Sequence, residues 1–308
     1  MSAPVFMRSN YSDLFGSSML PVLEELFRSE LAQHEMKRDK IFKKVSTERD
    51  SWQSSEIHDL PLYNQIEEGQ DYSFYRQNAG VSKTLKPVKY GLGFSISEEA
   101  VADGKFDFIA DAIKKMAKSA KESQEISAMN IFNNGFDSEL SADGQYVFDT
   151  DHSLPSGLTF RNMITAADLS ATSLEQMLID FETQQIGDSG IIYNVKPKVL
   201  LVPTALKRYA QELIGSELKA DTPNNNMNSL KQDGLIVVSS PHLTDLDAWF
   251  LLADPSETGL RIVDRQGIQT KAAGQDVGFV NDSIFYKSSY REKIGVTNPY
   301  GIFGSRGA

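Results

Sequence analysis

Four histidines, His34, His58, His152 and His242, are the side chains most apt for acid–base or metal chemistry. They are scattered, with no i, i+4 pair and no carboxylate at a metal-ligand spacing, so none reads as a ligand. The densest polar run is Asp149-Thr150-Asp151-His152. Its residue types suit a divalent ion or an oriented general base. Set between Phe148 and Leu154-Pro155, it reads better as a turn whose side chains bond nearby backbone. An acidic hydrolase using Asp149, Asp151 and His152 is the enzymatic alternative. The chain has no cysteine, which removes a disulfide framework, thiolate zinc, iron–sulfur clusters and a cysteine nucleophile together. No G-x-S-x-G, P-loop or H-E-x-x-H string occurs.

Gly91-Leu92-Gly93-Phe94 matches the string of carboxylate-binding PDZ loops, but Ser97-Glu98-Glu99 then leads into a long helical segment, which is the wrong order. The same G-x-G has Ile96 where a dinucleotide site needs its third glycine. Chemistry is therefore poorly represented, and organisation carries more information. The 308 residues are 40% hydrophobic and 24% charged, enough for two domains and a sizeable core. No run approaches the ~18 apolar residues of a membrane span, and Met1 to Asn10 lacks a signal-peptide core, so a soluble protein made in the cytoplasm is expected. The net charge of −11 is uneven: residues 101–260 carry 12 basic and 23 acidic side chains, whereas residues 261–308 carry 7 and 4. Such a middle repels phosphate and argues against sequence-specific nucleic-acid reading.

Ser17 and Ser18 offer N-caps and Pro21 suits a first turn, so Leu20, Leu23, Phe27 and Leu31 mark a short amphipathic helix. Lys37, Arg38, Lys40, Lys43 and Lys44 follow as a basic cluster read as a solvated face. Ser51 to Ser97 has only short aromatic and β-branched runs and predicts a long β-ribbon. Residues 56–71 hold Glu56, Asp59, Glu67, Glu68 and Asp71 with no Lys or Arg, and residues 76–89 hold Arg76, Lys83, Lys86 and Lys89 with no acid. A two-stranded ribbon is marginal alone, so this one should lean on something outside its own fold.

Lys105 to about Asn134 predicts a spine helix, capped by Asp103 and ended by Asn133, Asn134 and Gly135 in a left-handed turn. Its stripe of Phe106, Ile109, Ile113, Met116, Ala120 and Ile131 is thin, interrupted by Ser119, Ser123 and Ser127, and suggests a helix lying across a sheet outside the central core. Residues 140–260 read as a compact α+β unit: a turn at Asp143-Gly144, a helix capped by Ser173, a buried strand at Val199 to Val202, a helix from Pro203-Thr204, a polar loop from Lys219 to Gly234, and strands at Leu235 to Val238 and Trp249 to Ala253. Strands at Leu260 to Val263 and Ile284 to Val296 follow, then a Gly-punctuated tail from Tyr300 to Ala308. There is no internal repeat.

This order resembles the tailed-bacteriophage major capsid protein of the Hong Kong ninety-seven type fold, shared with encapsulin shells, and most of all its Mu-like major head subunit branch. Local strings agree in sequence order: Phe94-Ser95-Ile96-Ser97-Glu98-Glu99 before the spine; Asp143-Gly144-Gln145 with Phe148 and Asp151-His152 after it; Val199 to Pro203; Leu243-Thr244-Asp245 with Ala248 to Leu251; and Arg291-Glu292 to Gly304. The resemblance implies an α+β fold with an N-arm (1–48), an E-loop (49–97), a P-domain (98–140 with its return strands and tail at 260–308) and an A-domain (141–259).

It further implies a structural subunit without enzymatic activity, metal or cofactor, forming hexamers and pentamers of an icosahedral virion shell around double-stranded DNA. Its partners would be other copies of itself, a separate scaffolding protein, a portal and a decoration protein, with non-specific DNA contact and no membrane. Assembly would occur in the host cytoplasm. An encapsulin-like cargo compartment is the alternative from the same fold. Inter-subunit contacts are expected from Leu20, Leu23, Phe27, Glu67, Glu68, Arg76, Lys83, Lys86 and Lys89, and a capsomer-axis loop from Asp221, Asn224, Asn225 and Asn226. Some members crosslink an E-loop lysine to an asparagine. Lys83, Lys86 or Lys89 would supply the amine and Asn281 or Asn298 the amide, near Glu292, although the Asn-to-Glu spacing does not follow the family pattern.

Overall fold

The computed structural model describes residues 19–57, 60, 62–72, 74, 79–97, 99, 106–216, 229–273 and 283–308. Helix α1 (Met19–Gln33) forms as the apolar spacing predicts and lays Leu23 and Phe27 against Ile109, Ile113 and Met116 of α2 (Phe106–Asn133), the spine. Helix α2 is rich in Ala, Lys, Glu, Gln and Met, which favour helix without tertiary help. Its other half is more deeply set than its thin stripe suggests: Ala128, Met129, Ile131 and Phe132 are buried in the main core. The polar interruptions at Ser123 and Gln124 are used, since Tyr290 donates to Ser123 Oγ at 3.0 Å and Gln124 Nε2 donates to Glu292 at 3.1 Å.

Two four-stranded sheets meet at the spine. The first joins β1 (Lys43–Ser46), β10 (Leu260–Ala273), β11 (Ser283–Val296) and β4 (Val88–Ser97), in that order. The second joins β12 (Ile302–Ser305), β9 (Trp249–Ala253), β7 (Pro197–Pro203) and β8 (Ile236–Ser240). The second is buried on both faces, which is why its strands read as unbroken apolar runs and not as alternation. Val199, Leu201, Phe250, Leu252 and Ile302 face the core shared with α2. Leu200, Val202, Trp249, Leu251 and Phe303 face a second core under α3 (Ala171–Thr183) and α4 (Lys207–Gly215).

Several expectations are revised. The ribbon is shorter than Ser51 to Ser97: only β2 (Trp52–Ile57) and β3 (Ala79–Leu85) pair as one, while Val88–Ser97 is a strand of the first sheet. The Gly-punctuated tail contains β12, fully buried and paired to β9, because Ile302 and Phe303 complete both cores. The N-cap of α3 is Ser170, in a capping box with Ser173 at the third position. Gly135 does not adopt a left-handed conformation. It is required for space: a Cβ there would stand 2.8 Å from both the Ile131 carbonyl and the Phe148 ring. Asp103 and the loop from 217 to 228 lie outside the described residues.

The basic cluster is not all solvated either. Arg38 is buried and its Nη1 donates to both oxygens of Glu292 at 2.9 and 3.0 Å, across 254 residues of chain. Burial pushes the Glu292 carboxyl up from its ordinary value of 4.5, and Arg38 pulls it back only in part. A carboxyl raised in the folded state binds its proton more tightly there than when unfolded, so its contribution to stability is largest in acid and declines as the pH rises through the folded value. The stability difference between wild type and Glu292→Gln, from urea midpoints, is therefore expected to grow as the pH falls toward 4.5. At neutral pH Arg38→Met should cost about 3–5 kcal/mol, since it strands a buried carboxylate, and Arg38→Met with Glu292→Leu should recover most of that loss. In the main core, Phe148→Ala should cost about 3–5 kcal/mol in the same assay, while Tyr209→Ala, at an exposed position, should stay within about 0.5 kcal/mol.

Candidate functional site

The run Asp149 to His152 is a turn with a buried brace. Asp149 Oδ1 accepts the backbone N–H groups of Thr150 at 2.7 Å and Asp151 at 3.3 Å. His152 is fully buried, with Nδ1 2.6 Å from Asp143 Oδ2, Nε2 3.0 Å from Asn162 Oδ1, and its ring stacked on Phe160. Asn162 Nδ2 donates to the carbonyls of Val147 (2.7 Å) and Pro299 (3.2 Å), which turns its oxygen toward His152. Nε2 is therefore a donor to the amide, and Nδ1 faces a carboxylate. A general base must present one ring nitrogen to a substrate, and both are occupied here inside the core. The carboxylate at His152 is Asp143, not Asp149 or Asp151, so the hydrolase set is not assembled. Among the described residues no group of three or more metal-binding side chains occurs, and no helix is long and apolar enough to cross a membrane.

The surfaces suited to a partner lie on the ribbon. Between β2 and β3 the described residues form no strand, and Gly69, at φ 86°, sits in a turn closed by Gln70 N–H donating to Glu67 O. Around this turn Leu62, Tyr63, Tyr72 and Phe74 are exposed, Tyr63 and Phe74 almost completely at 105% and 93%. Glu67, Glu68 and Asp71 are exposed among them. Apolar side chains concentrated on an extension with no cover of its own mark an interaction surface.

The other candidate residues divide. Leu23 and Phe27 are 5% and 1% exposed and pack against α2 within the chain. Leu20 lies on α1, and its side chain is outside what is described. Lys83 holds the ribbon base to the body: its Nζ donates to the Leu140 carbonyl, with Glu139 at 3.9 Å, and burial lowers its ammonium's pKa. Lys86 and Lys89 are exposed. Arg76, Asp221, Asn224, Asn225, Asn226 and Asn281 lie outside the described residues. Glu292 is committed to Arg38 and Gln124, and Asn298 packs where Gly259 leaves no room for a Cβ. Sequence reasoning missed Asn162 and the buried partners of Asp143 and Arg38; each gains its role from a group distant in the chain or on another turn.

No curated protein matches the chain. Solved structures do, at identities that speak for fold alone. The capsid of the native GTA particle aligns with 89% of this chain and 91% of its own at TM-score 0.59 and 11% identity. The capsid of cyanophage P-SCSP1u covers 87% and 86% at TM-score 0.58 and 10% identity. The virus-like particle from Pyrococcus furiosus covers 94% and 99% at TM-score 0.55 and 13% identity. The pattern of the phage capsid protein family matches residues 80–304. That match runs from β3 to β12 and takes in the spine, the second sheet and three of the four strands of the first, and with it the chain belongs to the phage capsid protein family, as a subunit of the virion shell.

Proposed function

We propose that this capsid subunit is the major head protein, building hexamers and pentamers of a closed icosahedral shell around double-stranded DNA, and that the ribbon of each copy lies on the next. The single observation that supports the ribbon's role is the exposed segment around Gly69, where Tyr63 and Phe74 have no cover from their own chain. An aromatic side chain buries about 150–250 Å², so covering each ring is worth about 4–6 kcal/mol gross at ~25 cal/mol per Å². Ordering the ribbon opposes this gain, which suits a subunit that must stay apart until many weak contacts close together.

In this reading residues 1–48 act as an N-arm, 49–97 as an E-loop, 98–140 with 260–308 as the P-domain and 141–259 as the A-domain. Two strands cross those limits to join the sheet of β10 and β11: β1 from the arm and β4 from the E-loop. The segment bearing Asp221, Asn224, Asn225 and Asn226 would turn to the capsomer axis. A separate scaffolding protein, a portal and a decoration protein are the expected partners, and contact with packaged DNA is non-specific. The protein works as structure, without turnover of a substrate.

Expressed with its scaffolding protein, the chain should yield capsomers or closed shells by light scattering and negative-stain microscopy. A persistent monomer would refute the proposal. Tyr63→Ser with Phe74→Ser should fold with an unchanged urea midpoint yet lower the yield of shells by about tenfold or more. Shell yields equal to wild type would remove the ribbon from assembly.

A further inference from the structure

The two four-stranded sheets end in strands of unequal length. At their edges β1 and β12 have 4 residues each and β8 has 5, whereas β4 (Val88–Ser97) has 10. Eight of those ten positions are exposed, and no strand among the described residues pairs with the outer side of β4. An edge strand presents a row of backbone N–H and C=O groups able to pair with another chain, and short length, charge, proline and bulges are the usual means of blunting it. Little of that protection is present here. The ladder of β4 with β11 runs from Val88 to Ser97 without a register shift, the strand contains no proline, and Lys89 is its one charged side chain.

Register sets Tyr90, Leu92 and Phe94 opposite Tyr290, Ser288 and Tyr286, all buried residues of β11. Directly opposite residues share a face, so the row Val88, Tyr90, Leu92, Phe94 and Ile96 lies on the side that α1 and α2 cover. Ile96 and Phe94 join the core made with those helices, and the row then runs out from under it: Leu92 is 55%, Tyr90 38% and Val88 52% exposed. The other face of the strand carries Lys89, Gly91, Gly93, Ser95 and Ser97, all small apart from the lysine. An open edge whose apolar row begins in the core and ends in solvent is suited to continuation of the sheet by an added strand.

We propose that β4 pairs antiparallel with β4 of a second copy across a two-fold axis, and that this joint links neighbouring capsomers of the shell. Rotation within a capsomer sets unlike surfaces against each other, whereas a two-fold contact uses one patch on both subunits and must be self-complementary. β4 meets that condition. An axis perpendicular to the sheet keeps each face with its like, so the apolar rows of the two copies join. With the axis at Leu92, that residue stands opposite itself, Tyr90 opposite Phe94, and Val88 opposite Ile96, so the exposed end of each row meets the end seated in the other copy's core. On the second face Gly91 stands opposite Gly93 and Lys89 opposite Ser95, and no like charges meet. The overlap from Val88 to Ile96 runs about 30 Å along a layer ~10 Å thick, which buries on the order of 600 Å² over both copies, well under the ~1,200 Å² of a stable free-standing interface. The joint therefore closes within an assembling shell and not as a free dimer. The proposal rests on the shell-subunit reading and supplies the contact between capsomers that this reading requires.

The chain has no cysteine, so Leu92→Cys places a single thiol on the axis. Directly opposite strand residues have Cα atoms about 4.5–5.5 Å apart, inside the ~4.4–6.8 Å that a disulfide spans. Shells of this variant, made in the full chain expressed with its scaffolding protein, should give a dimer band on a non-reducing gel after oxidation. Leu92→Lys and Leu92→Glu should each fold with the wild-type urea midpoint, since the site is exposed, and each lower shell yield by about tenfold or more, since like charges then face each other on the axis. The two charged variants expressed together should recover shells, because Lys can then face Glu. Shells whose Leu92→Cys chains remain monomeric after oxidation overturn the proposal, as do wild-type yields from both charged variants. Failure of the mixture to recover what each charge lost also overturns it, and assigns the edge to an unlike partner strand. A wild-type chain that forms no shells would refute the shell reading itself, and this proposal with it.

Discussion

Phe148 is the contact on which both halves of the molecule depend. Its ring lies 5.0 Å from those of Phe136 and Phe250 and 6.2 Å from that of Phe132, so the end of the spine, the turn after it and the central strand β9 meet in one aromatic cluster. Two glycines back onto the same ring. A Cβ at Gly135 would come within 2.8 Å of it and one at Gly304 within 2.9 Å. The first is the exit from α2 and the second lies in β12, so the close approach of helix end and chain terminus is set by one side chain's volume. Interiors packed to this density transmit any change in shape to every element that touches it.

From that junction the two sheets take different roles. The second sheet is wrapped by apolar cores on both sides and has no face left for a neighbour. The first is covered by α1 and α2 on one side, and its other side is covered by Leu85 at Gly295 and carries the exposed Lys287 and Lys293. The ribbon projects from this half, clamped at Leu85 and Lys83 and uncovered around Gly69. Self-sufficiency is thus concentrated at one end of the chain's architecture and dependence on neighbours at the other, a division suited to a subunit that folds before it assembles.

The buried polar contacts serve position more than net energy. Arg38 and Glu292 tie the segment after α1 to β11, and Asn162 ties the His152 turn to the carbonyls of Val147 and Pro299. A buried ion pair is weak evidence for stability, yet each of these groups would be costly to leave unpaired. They penalise wrong arrangements of loops that apolar packing alone would tolerate. Solved capsid structures at 10–13% identity share the fold, as expected where packing needs residue class and spacing more than particular side chains.

The amino-acid sequence by itself determined the elements whose signal is local. The spine predicted from Lys105 to about Asn134 runs from Phe106 to Asn133, the run Trp249 to Ala253 is a strand with those limits, and α1 follows the spacing of Leu20, Leu23, Phe27 and Leu31. The order of such elements, together with local strings such as Phe94 to Glu99 and Ala248 to Leu251, carried the resemblance to a capsid subunit. Only the tertiary structure decided that Arg38 is buried, that the tail's Ile302 and Phe303 close two cores, and that Val88–Ser97 leaves the ribbon for the sheet. Helical and strand periods repeat within a few residues and are visible in one dimension. The partner of Arg38 is 254 residues away, and the facing of Lys271 and Lys287 depends on a register that no local pattern encodes.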